Sequence, residues 1–283
     1  LIIAGLDNLP SLIEEFQSLG VRIIFSALPD EPAERVERNL AAAGFLVISH
    51  AQIHRLQPDV PLIVPEVNIH HLSLLHKQSG SSDGRLISCS NCMVLPIAIT
   101  LSPLIEIAGI KSVRISTQQA LSGGGRMLLA RGRTGRHISS EIPGEAESIV
   151  TELTKIMSSE FDIEASCERV MRDHGHYARI EVEFEDQVSA HQIIRAWRES
   201  YSRSQELNLP SAANRPIIFV DGELDDGHRW VGFEEIEHPA HDLKAAMAVA
   251  VGEVEIEGSN LRFSLMADNT IRGAAGYSVL LVE

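Results

Sequence analysis

The first third of the chain alternates short apolar runs with a helical pattern, and this alternation limits the fold more than any other feature. Residues 21–26 and 45–49 are almost continuously apolar, as in the buried strands of a parallel sheet. Between them, residues 32–43 have the spacing of an amphipathic helix, and Gly44 is its stop signal. Ahead of them, Ser11-Leu12-Ile13-Glu14 has the form of a capping box that opens another helix. This rhythm predicts a doubly wound α/β sheet.

Beyond residue 92 the pattern changes to an alternation of polar and apolar positions. Such alternation is typical of strands with one covered face, so we expect a second domain of the α+β class, built on a mixed or antiparallel sheet. Its expected strands cover residues 111–119, 161–170, 177–184, 249–256 and 261–266, and its expected helices cover residues 145–158 and 189–203.

Length, charge and cysteine content exclude several classes of protein. At 283 residues, the chain can form one large or two medium domains. A net charge of −15 argues against a nucleic-acid partner, because phosphate binding needs a basic face. No apolar stretch reaches membrane-spanning length, and no signal-peptide pattern opens the sequence. Three cysteines, Cys89, Cys92 and Cys167, do not make a disulfide framework, so we expect a cytoplasmic protein without a membrane partner.

The dipeptide Asn91-Cys92 stands between an apolar strand pattern at residues 85–88 and a helix-like run at residues 93–101. A cysteine at a helix start lies near unpaired backbone N–H groups and the positive end of the helix dipole, and both favour the thiolate. A thiolate is a nucleophile that can form a covalent acyl intermediate. A lone cysteine is more commonly a small buried apolar side chain, and position alone leaves that alternative open.

Four further segments stand in a fixed order around this dipeptide. They are residues 61–68 (Pro-Leu-Ile-Val-Pro-Glu-Val-Asn), residues 116–125 (Ser-Thr-Gln-Gln-Ala-Leu-Ser-Gly-Gly-Gly), Arg169-Val170 with Gly175-His176, and residues 268–276 (Asp-Asn-Thr-Ile-Arg-Gly-Ala-Ala-Gly). In this order and at these spacings, the set resembles the aspartate-semialdehyde dehydrogenase family, from about residue 21 to the C-terminus. The resemblance implies NADP-dependent reduction of aspartyl phosphate to aspartate semialdehyde, with release of phosphate, through a thioester on Cys92.

The resemblance also implies a domain organisation. Residues 1–91 would form a Rossmann-like dinucleotide-binding domain, residues 92–266 a mixed-sheet catalytic and dimerisation domain, and residues 267–283 a C-terminal helix that returns to the nucleotide domain. The family is usually dimeric or tetrameric, so we expect a homodimer or homotetramer.

The resemblance assigns roles to individual side chains. The catalytic residues would be Cys92 as nucleophile, His176 as acid and base, and Gln119 as the amide that orients the acyl intermediate. Imidazole titrates near neutral pH and suits a proton shuttle, and a planar guanidinium can hold a carboxylate bidentately. The substrate-binding residues would be Arg169 for the carboxylate, Glu145 for the ammonium group, Arg55 for phosphate, and Asn91. The cofactor-binding residues would be Ser122, Gly123 and Asn269, and no metal is expected.

Each of these polar residues also has an ordinary structural explanation. The alternatives are a surface position at a strand end for His176, a salt bridge at a strand edge for Arg169, an outward strand position for Gln119, first-turn helix chemistry for Glu145, a helix cap for Asn269, and a solvated loop charge for Arg55.

Three departures from the family pattern concern the substrate. Residues 88–94 read Ser-Cys-Ser-Asn-Cys-Met-Val, where the family commonly has Thr-Asn-Pro-Asn-Cys-Ser-Thr. Ser148 stands where a phosphate-binding lysine is expected, which should weaken attraction for an acyl phosphate. The basic segment from Arg126 to Arg136 has no counterpart that we recognise. Its arginines could bind phosphates of a larger group such as coenzyme A, or the segment could be a solvated loop or a subunit contact.

The N-terminal residues depart from the pattern of a dinucleotide-binding domain. Residues 1–5 have a strand pattern, but residues 6–10 (Leu-Asp-Asn-Leu-Pro) are not the glycine-rich loop that should follow it. The run Gly123-Gly124-Gly125 lacks the spacing of a substitute. Truncation, a gap between Gly5 and Leu6, or natural loss of the loop would each explain this pattern.

Two other arrangements have metal-like or redox-like spacing. Cys89-x-x-Cys92 could be a redox dithiol, but no thioredoxin-like pattern surrounds it, and a zinc site would need a second pair of ligands. His238-Pro239-Ala240-His241-Asp242 lacks the helical frame of a metalloprotease motif.

Two rivals accompany the leading interpretation. One is a paralogous acyl-CoA reductase, resembling malonyl-CoA reductase, with a different acyl donor. The other is a non-catalytic homologue or fragment that lacks the dinucleotide loop.

Overall fold

A computed structural model of the chain describes residues 8–78, 83–232 and 241–283, which form two compact units. The first unit comprises Leu1–Ile63 and Ile69–Ser90, and the second comprises Val64–Asn68 and Asn91–Glu283. The strand expected at residues 1–5, most of the loop around residues 79–84, and residues 238–240 of the histidine motif lie outside the described residues. The functional assignment of the domains stays a prediction.

The first unit contains a three-stranded parallel sheet in the order β1-β2-β3 with two helices. Buried side chains from both helices and from two strands form its apolar core, so the α/β pattern expected from the sequence is confirmed. The elements are α1 (Leu9–Ser18), β1 (Ile23–Ser26), α2 (Asp30–Ala42), β2 (Leu46–Ser49) and β3 (Arg85–Ser88).

Two local predictions for the first unit are wrong. Helix α1 begins at Leu9, because Asn8 accepts the N–H of Ser11 and caps the helix three residues before the expected capping box. Strand β1 is not fully buried, since Ile23 and Phe25 are 39% and 52% exposed. Ile24 packs into the core formed with α1 and α2, whereas Ile23 and Phe25 point to the opposite face of the strand and stay exposed.

A buried ion pair connects α2 to the turn at Gln52–His54, which follows β2. Glu37 of α2 and His54 have fully buried side chains, and Oε2 of Glu37 lies 2.9 Å from Nε2 of His54. Burial by itself lowers the pKa of His54, but the hydrogen bond and charge of Glu37 outweigh it and the pKa is raised. The contact therefore stabilises the fold most fully below the ordinary histidine pKa, and its contribution is lost as the pH rises through the raised value.

The second unit is built on a six-stranded mixed sheet in the order β5-β4-β6-β9-β8-β7. Strand pairs β4–β5 and β7–β8 are parallel, and the other neighbours are antiparallel, as expected of an α+β domain. The strands are β4 (Ile110–Gln119), β5 (Asp162–Arg169), β6 (His176–Phe184), β7 (Ile217–Phe219), β8 (Val249–Glu257) and β9 (Asn260–Ala267). The helices are α3 (Val94–Ile105), α4 (Gly125–Arg133), α5 (Glu145–Met157), α6 (Ala190–Glu199), α7 (Arg203–Glu206) and α8 (Gly276–Leu280).

Most elements of this unit begin and end within two residues of their predicted positions. The exceptions are the short β7 and the helices α4 and α7, none of which was predicted, together with two helices whose ends differ. Helix α3 ends at Ile105 rather than at residue 101, and α6 ends at Glu199 rather than at residue 203. Residues 267–283 belong to this unit, where a π-helical turn (Ile271–Ala275) precedes α8.

Helix α3 is buried along most of its length. Trp197 of α6 packs in the same core and donates from its indole N–H to the carbonyl of Thr100, 3.0 Å away. Even so, no helix within the described ranges is both long and apolar enough to cross a membrane.

Replacing Glu37 by Gln should loosen the first unit in a pH-dependent way. The substitution removes the charge that favours protonated His54, so amide hydrogen exchange in α2 and residues 50–57 should speed up more at about pH 6 than at about pH 8.5. Hydrogen exchange measured by mass spectrometry on the peptides that cover these residues reports the local opening of this part of the first unit. Asp59→Asn is the matched control, because its pair with Arg38 is partly exposed and involves no histidine. An equal increase in the exchange rate at both pH values would contradict a pKa of His54 that is raised by Glu37.

Candidate active site

The second unit brings Cys92 and His176 into contact although 84 positions separate them. Sγ of Cys92 lies 3.3 Å from Nε2 of His176, within the reach of a hydrogen bond to sulfur. Cys92 precedes α3 by two residues, and His176 is the first residue of β6. Their contact is the geometry that a nucleophile and its proton-handling partner require.

Asn91 shapes the entry to α3 on the sulfur side. Its Oδ1 accepts the N–H of Met93 at 2.7 Å, and its carbonyl accepts the N–H of Leu95 at 3.2 Å. The helix itself begins at Val94. Asn91 therefore accepts the backbone N–H groups of Met93 and Leu95, whereas the sequence pattern predicted unpaired N–H groups beside Cys92.

His176 is enclosed on all sides. Its side chain is fully buried, and its Nδ1 accepts the backbone N–H of Ala120 at 3.1 Å. Burial, aided by the nearby charge of Arg169, lowers the pKa of His176 to about 3. The imidazole is therefore neutral at physiological pH, and a surface location for this histidine is wrong.

Arg169 ends β5 beside this pair. Its Nη1 donates to the carbonyl of Ala120 at 2.9 Å. Burial lowers the pKa of its guanidinium, while the neighbouring Glu145 and Cys92 raise it. Arginine stays protonated under such shifts, so it supplies a fixed positive charge next to the sulfur.

Glu145, the first residue of α5, is held by two side-chain amides. Nε2 of Gln119 donates to its Oε1 at 2.6 Å, and Nδ2 of Asn91 donates to the same oxygen at 2.9 Å. Gln119 is almost fully buried, so an outward strand position for it is wrong. Because both amides use Oε1, the geometry leaves Oε2 to face another group.

A second carboxylate, which the sequence analysis missed, supports the residue before the nucleophile. Glu152 is buried, and its Oε2 accepts the backbone N–H of Asn91 at 2.7 Å. Its Oε1 accepts the hydroxyl of Ser148 at 2.6 Å. The spacing of Glu145, Ser148 and Glu152 places them on one face of α5, and this was the available signal.

Asn269 links two loops of the site. Its Oδ1 accepts the backbone N–H of Gly175 at 3.0 Å, and its amide N–H donates to the hydroxyl of Ser122 at 3.0 Å. The cap of the following turn is Asp268, whose Oδ1 accepts the N–H groups of Thr270 and Ile271. A role for Ser122, Gly123 and Asn269 in binding a cofactor stays a prediction.

Gly273 packs directly against the nucleophile. A Cβ atom at this position would lie 2.7 Å from Cβ of Cys92 and 3.1 Å from its Cα. The neighbouring Arg272 is fully buried and lies 2.7 Å from Oε2 of Glu66, which fixes the turn. Sequence reasoning missed these contacts because each joins residues far apart in the chain.

The remaining candidates lie elsewhere or lack the expected chemistry. Arg55 belongs to the first unit, where its guanidinium donates to the carbonyl of His50 at 3.1 Å. Cys89 is fully buried, and burial raises the pKa of its thiol, which disfavours the thiolate of a redox dithiol. No group of three His, Cys, Asp or Glu side chains in the described part of the chain is arranged to hold a metal ion.

Residues 8–75 match the family model described as semialdehyde dehydrogenase, NAD binding domain. The chain is 31% identical to the aspartate-semialdehyde dehydrogenase of Archaeoglobus fulgidus over 92% of this chain and 76% of that protein. It is also 31% identical to the malonyl CoA reductase (NADP) of Metallosphaera sedula, over 93% of this chain and 76% of that protein. A crystal structure of aspartate-semialdehyde dehydrogenase with NADP from Candida albicans matches with a TM-score of 0.76 and 26% identity, over 93% and 77% of the two chains.

The fold and these matches define the class as the semialdehyde dehydrogenases, with an α/β unit that matches the family's NAD binding domain and a mixed-sheet unit. Within that class, the chain belongs to the aspartate-semialdehyde dehydrogenase family of oxidoreductases.

Replacing Gly273 by Ala should disturb Cys92 specifically. The added methyl meets the backbone and Cβ of Cys92, which have no free rotation with which to yield, so the Sγ–Nε2 contact should lengthen. We expect the rate of Cys92 alkylation by iodoacetamide near neutral pH to fall about tenfold. Gly276→Ala is the matched control, since its nearest neighbour is the sulfur of the Met247 side chain. A Cys92 alkylation rate in Gly273→Ala equal to that in Gly276→Ala would contradict the prediction.

Proposed function

We propose that the chain is an NADP-dependent aspartate-semialdehyde dehydrogenase that reduces aspartyl phosphate to aspartate semialdehyde. The observation that carries the proposal is the 3.3 Å contact between Cys92 and His176, in a chain of this family. The related aspartate-semialdehyde dehydrogenases, and the related crystal structure with NADP, support both the reaction and the cofactor.

The substrate would be held by two opposite charges. The guanidinium of Arg169 suits the substrate carboxylate, with which it can make paired charge-assisted hydrogen bonds. Oε2 of Glu145 suits the substrate ammonium group, because Asn91 and Gln119 already occupy Oε1. The two anchors would place the acyl carbon for attack by Sγ of Cys92.

Attack by Cys92 would form a carbon–sulfur bond and expel phosphate, which leaves a thioester. Bound NADPH would supply the hydride that reduces this thioester. Collapse of the resulting thiohemiacetal would release the aldehyde and return the sulfur to its starting state. Nε2 of His176 lies 3.3 Å from Sγ, so the imidazole would stabilise charge on the sulfur or transfer a proton there.

The nicotinamide would bind next to the sulfur, beside Gly123. A Cβ atom at Gly123 would lie 2.9 Å from Cε1 of His176 and 3.1 Å from Nη1 of Arg169, so only glycine fits this close to the two side chains. Ser122 and Asn269, joined by their own hydrogen bond, would form the adjoining wall.

A second candidate differs only in the acyl donor. Ser148 is buried and bonded to Glu152, so no cation stands where the family's phosphate-binding lysine is expected. Helix α4 presents Arg126 and Arg131 at the surface, while Arg133 pairs with Asp173 at 2.8 Å. Together with the malonyl CoA reductase relative, these features favour an acyl-CoA substrate as the alternative.

A homodimer or homotetramer in the cytoplasm is the expected state, and size-exclusion chromatography with light scattering would determine the subunit number.

Cys92→Ala should abolish phosphate-dependent oxidation of aspartate semialdehyde with NADP, by about 10⁴-fold or more, because no other group can form the thioester. Cys89→Ala should retain most activity, since that thiol is buried and protonated. The assay follows NADPH formation at saturating substrate, with circular dichroism to check the fold. Comparable losses in both variants would instead implicate a dithiol.

Ser148→Lys should separate the two acyl donors. If phosphate is the natural co-substrate, a cation at this position should lower KM for phosphate several-fold, with Ser148→Met as the uncharged control of similar length. The wild-type enzyme should oxidise the semialdehyde with phosphate and not with coenzyme A. Oxidation that depends on coenzyme A, and that weakens in Arg131→Ala and Arg133→Ala, would favour the second candidate.

A further inference from the structure

Three charged side chains of the first unit lie together where β2 ends. Glu37 and His54 form the buried contact of 2.9 Å, and Arg55 is the next residue along the chain. The charges of Glu37 and Arg55 both act on the imidazole of His50 and on the thiol of Cys89. Both charges therefore reach the same small region, and water screens them little there because the surrounding groups are buried.

Arg55 is tied to the end of β2 by its side chain and its backbone. Its Nη2 donates to the carbonyl of His50 at 3.1 Å, and its backbone N–H donates to the carbonyl of Gln52 at 3.0 Å. The turn itself is held by Asp30, whose Oδ1 accepts the N–H groups of Gln52 and Ile53 at 2.7 and 3.3 Å. The half-buried guanidinium therefore has a fixed place, where a neighbouring charge changes its affinity for an anion more than it would in water.

The pair of Glu37 and His54 can carry either no net charge or one negative charge. Both side chains are fully buried, and their contact is short enough for the two groups to share one proton. With that proton present, the pair is neutral whichever group holds it. When the proton leaves, an unbalanced carboxylate remains in the region that Arg55 occupies, and it opposes the binding of a second anion there.

Among the described groups whose charges act on this cluster, the pair is the one that changes its charge between about pH 6.5 and about pH 9. Burial lowers the pKa of His50, so its imidazole is mainly neutral over this range. Burial also raises the pKa of the Cys89 thiol, which stays protonated. Arg38 acts on His54 from the same helix as the carboxylate, and it pairs with Asp59 at 2.9 Å, so its charge is balanced throughout.

We propose that the buried pair of Glu37 and His54 controls the affinity of Arg55 for the phosphate group of the reaction. With its proton the pair is neutral and Arg55 binds the anion, and without it the carboxylate of Glu37 weakens that binding. Glu37 and His54 are then positioning residues that act through Arg55. The inference rests on the proposed function only in taking phosphate as the anion that Arg55 binds.

The direction of the pH dependence follows from the state of His54. Burial lowers the pKa of His54, but the hydrogen bond and charge of Glu37 outweigh it and raise the pKa above the ordinary value of 6.5. The pair therefore keeps its proton near neutral pH and loses it as the pH rises through the raised value. Anion binding at Arg55 should weaken over the same interval.

Sulfate binding tests the proposal without turnover. Sulfate has the tetrahedral shape of phosphate and keeps its double negative charge over this pH range, whereas phosphate itself titrates near neutral pH. Equilibrium dialysis with radioactive sulfate would use the Cys92→Ala protein as the parent, so that the thiol of the nucleophile does not titrate. Excess NADP would occupy the sites that bind the phosphates of the cofactor, and Arg55→Ala in this parent identifies the sulfate bound by Arg55.

The parent and two variants of it should differ in their pH profiles. In the parent, the dissociation constant for sulfate should rise about fivefold between about pH 6.5 and about pH 9. Glu37→Gln should bind sulfate equally at both pH values, and therefore more tightly than the parent at the higher one. A purely structural role of Glu37 predicts weaker binding in this variant. Asp59→Asn is the matched control and should keep the profile of the parent, because its ion pair includes no histidine.

Three results would overturn the proposal. One is a parent whose affinity for sulfate does not depend on pH, and another is a Glu37→Gln profile that follows the parent or lies below it in affinity. The third is a pH dependence that appears in the KM of the wild-type enzyme for NADP and not in sulfate binding, which would assign Arg55 to the cofactor.

If Glu37→Gln fails to fold, the parent protein alone decides. Nitrogen NMR with ¹⁵N-histidine gives the ionisation midpoint of His54, identified by the signals that His54→Gln lacks, and this midpoint should lie within about 0.5 pH units of the midpoint of sulfate release. Two clearly separate midpoints would overturn the proposal. The expected sulfate profile, in a protein whose wild-type form does not oxidise the semialdehyde with phosphate, would contradict the proposed function alone.

Discussion

The register of three strands in the mixed sheet is the constraint on which the site depends. Strand β4 pairs in parallel with β5, so that Gln119 lies opposite Arg169 where both strands end. It pairs antiparallel with β6, with Gln118 opposite Tyr177, so that β6 begins with His176 at the same end. A slip of one residue in any one of these strands would turn its side chain to the opposite face from the other two. Sheet pairing alone therefore collects an amide, a guanidinium and an imidazole from three distant segments.

Helix α5 completes this arrangement with two carboxylates that have different tasks. Glu145 receives the amides of Gln119 and Asn91, whereas Glu152 receives the backbone N–H of Asn91. Buried charged groups are costly unless each is hydrogen-bonded, and these contacts meet that condition. Asn91 thus uses its backbone and its side chain to bind α5 on one side and to begin α3 on the other. The cysteine that follows has little freedom to move.

The sequence predicted regular elements well and long-range contacts poorly. Helix α5 and the strands of the mixed sheet other than β7 were predictable because their apolar periodicity reflects one covered face, and β3 was predictable as a short apolar run. The exposure of β1 was not, since it depends on which face of the strand the two helices cover. Cys92 and His176 were found through a family resemblance, whereas Glu152 and Gly273 act through contacts that no local pattern records.

Ala120 shows why such contacts matter. Its N–H donates to Nδ1 of His176, and its carbonyl accepts from Nη1 of Arg169. The backbone of this one residue therefore contacts both the imidazole and the guanidinium of the site. Because its side chain takes no part in either contact, a search of the sequence for chemically reactive residues passes over it. The charges around Cys92 therefore depend on the point at which β4 ends, and no sequence motif records that point.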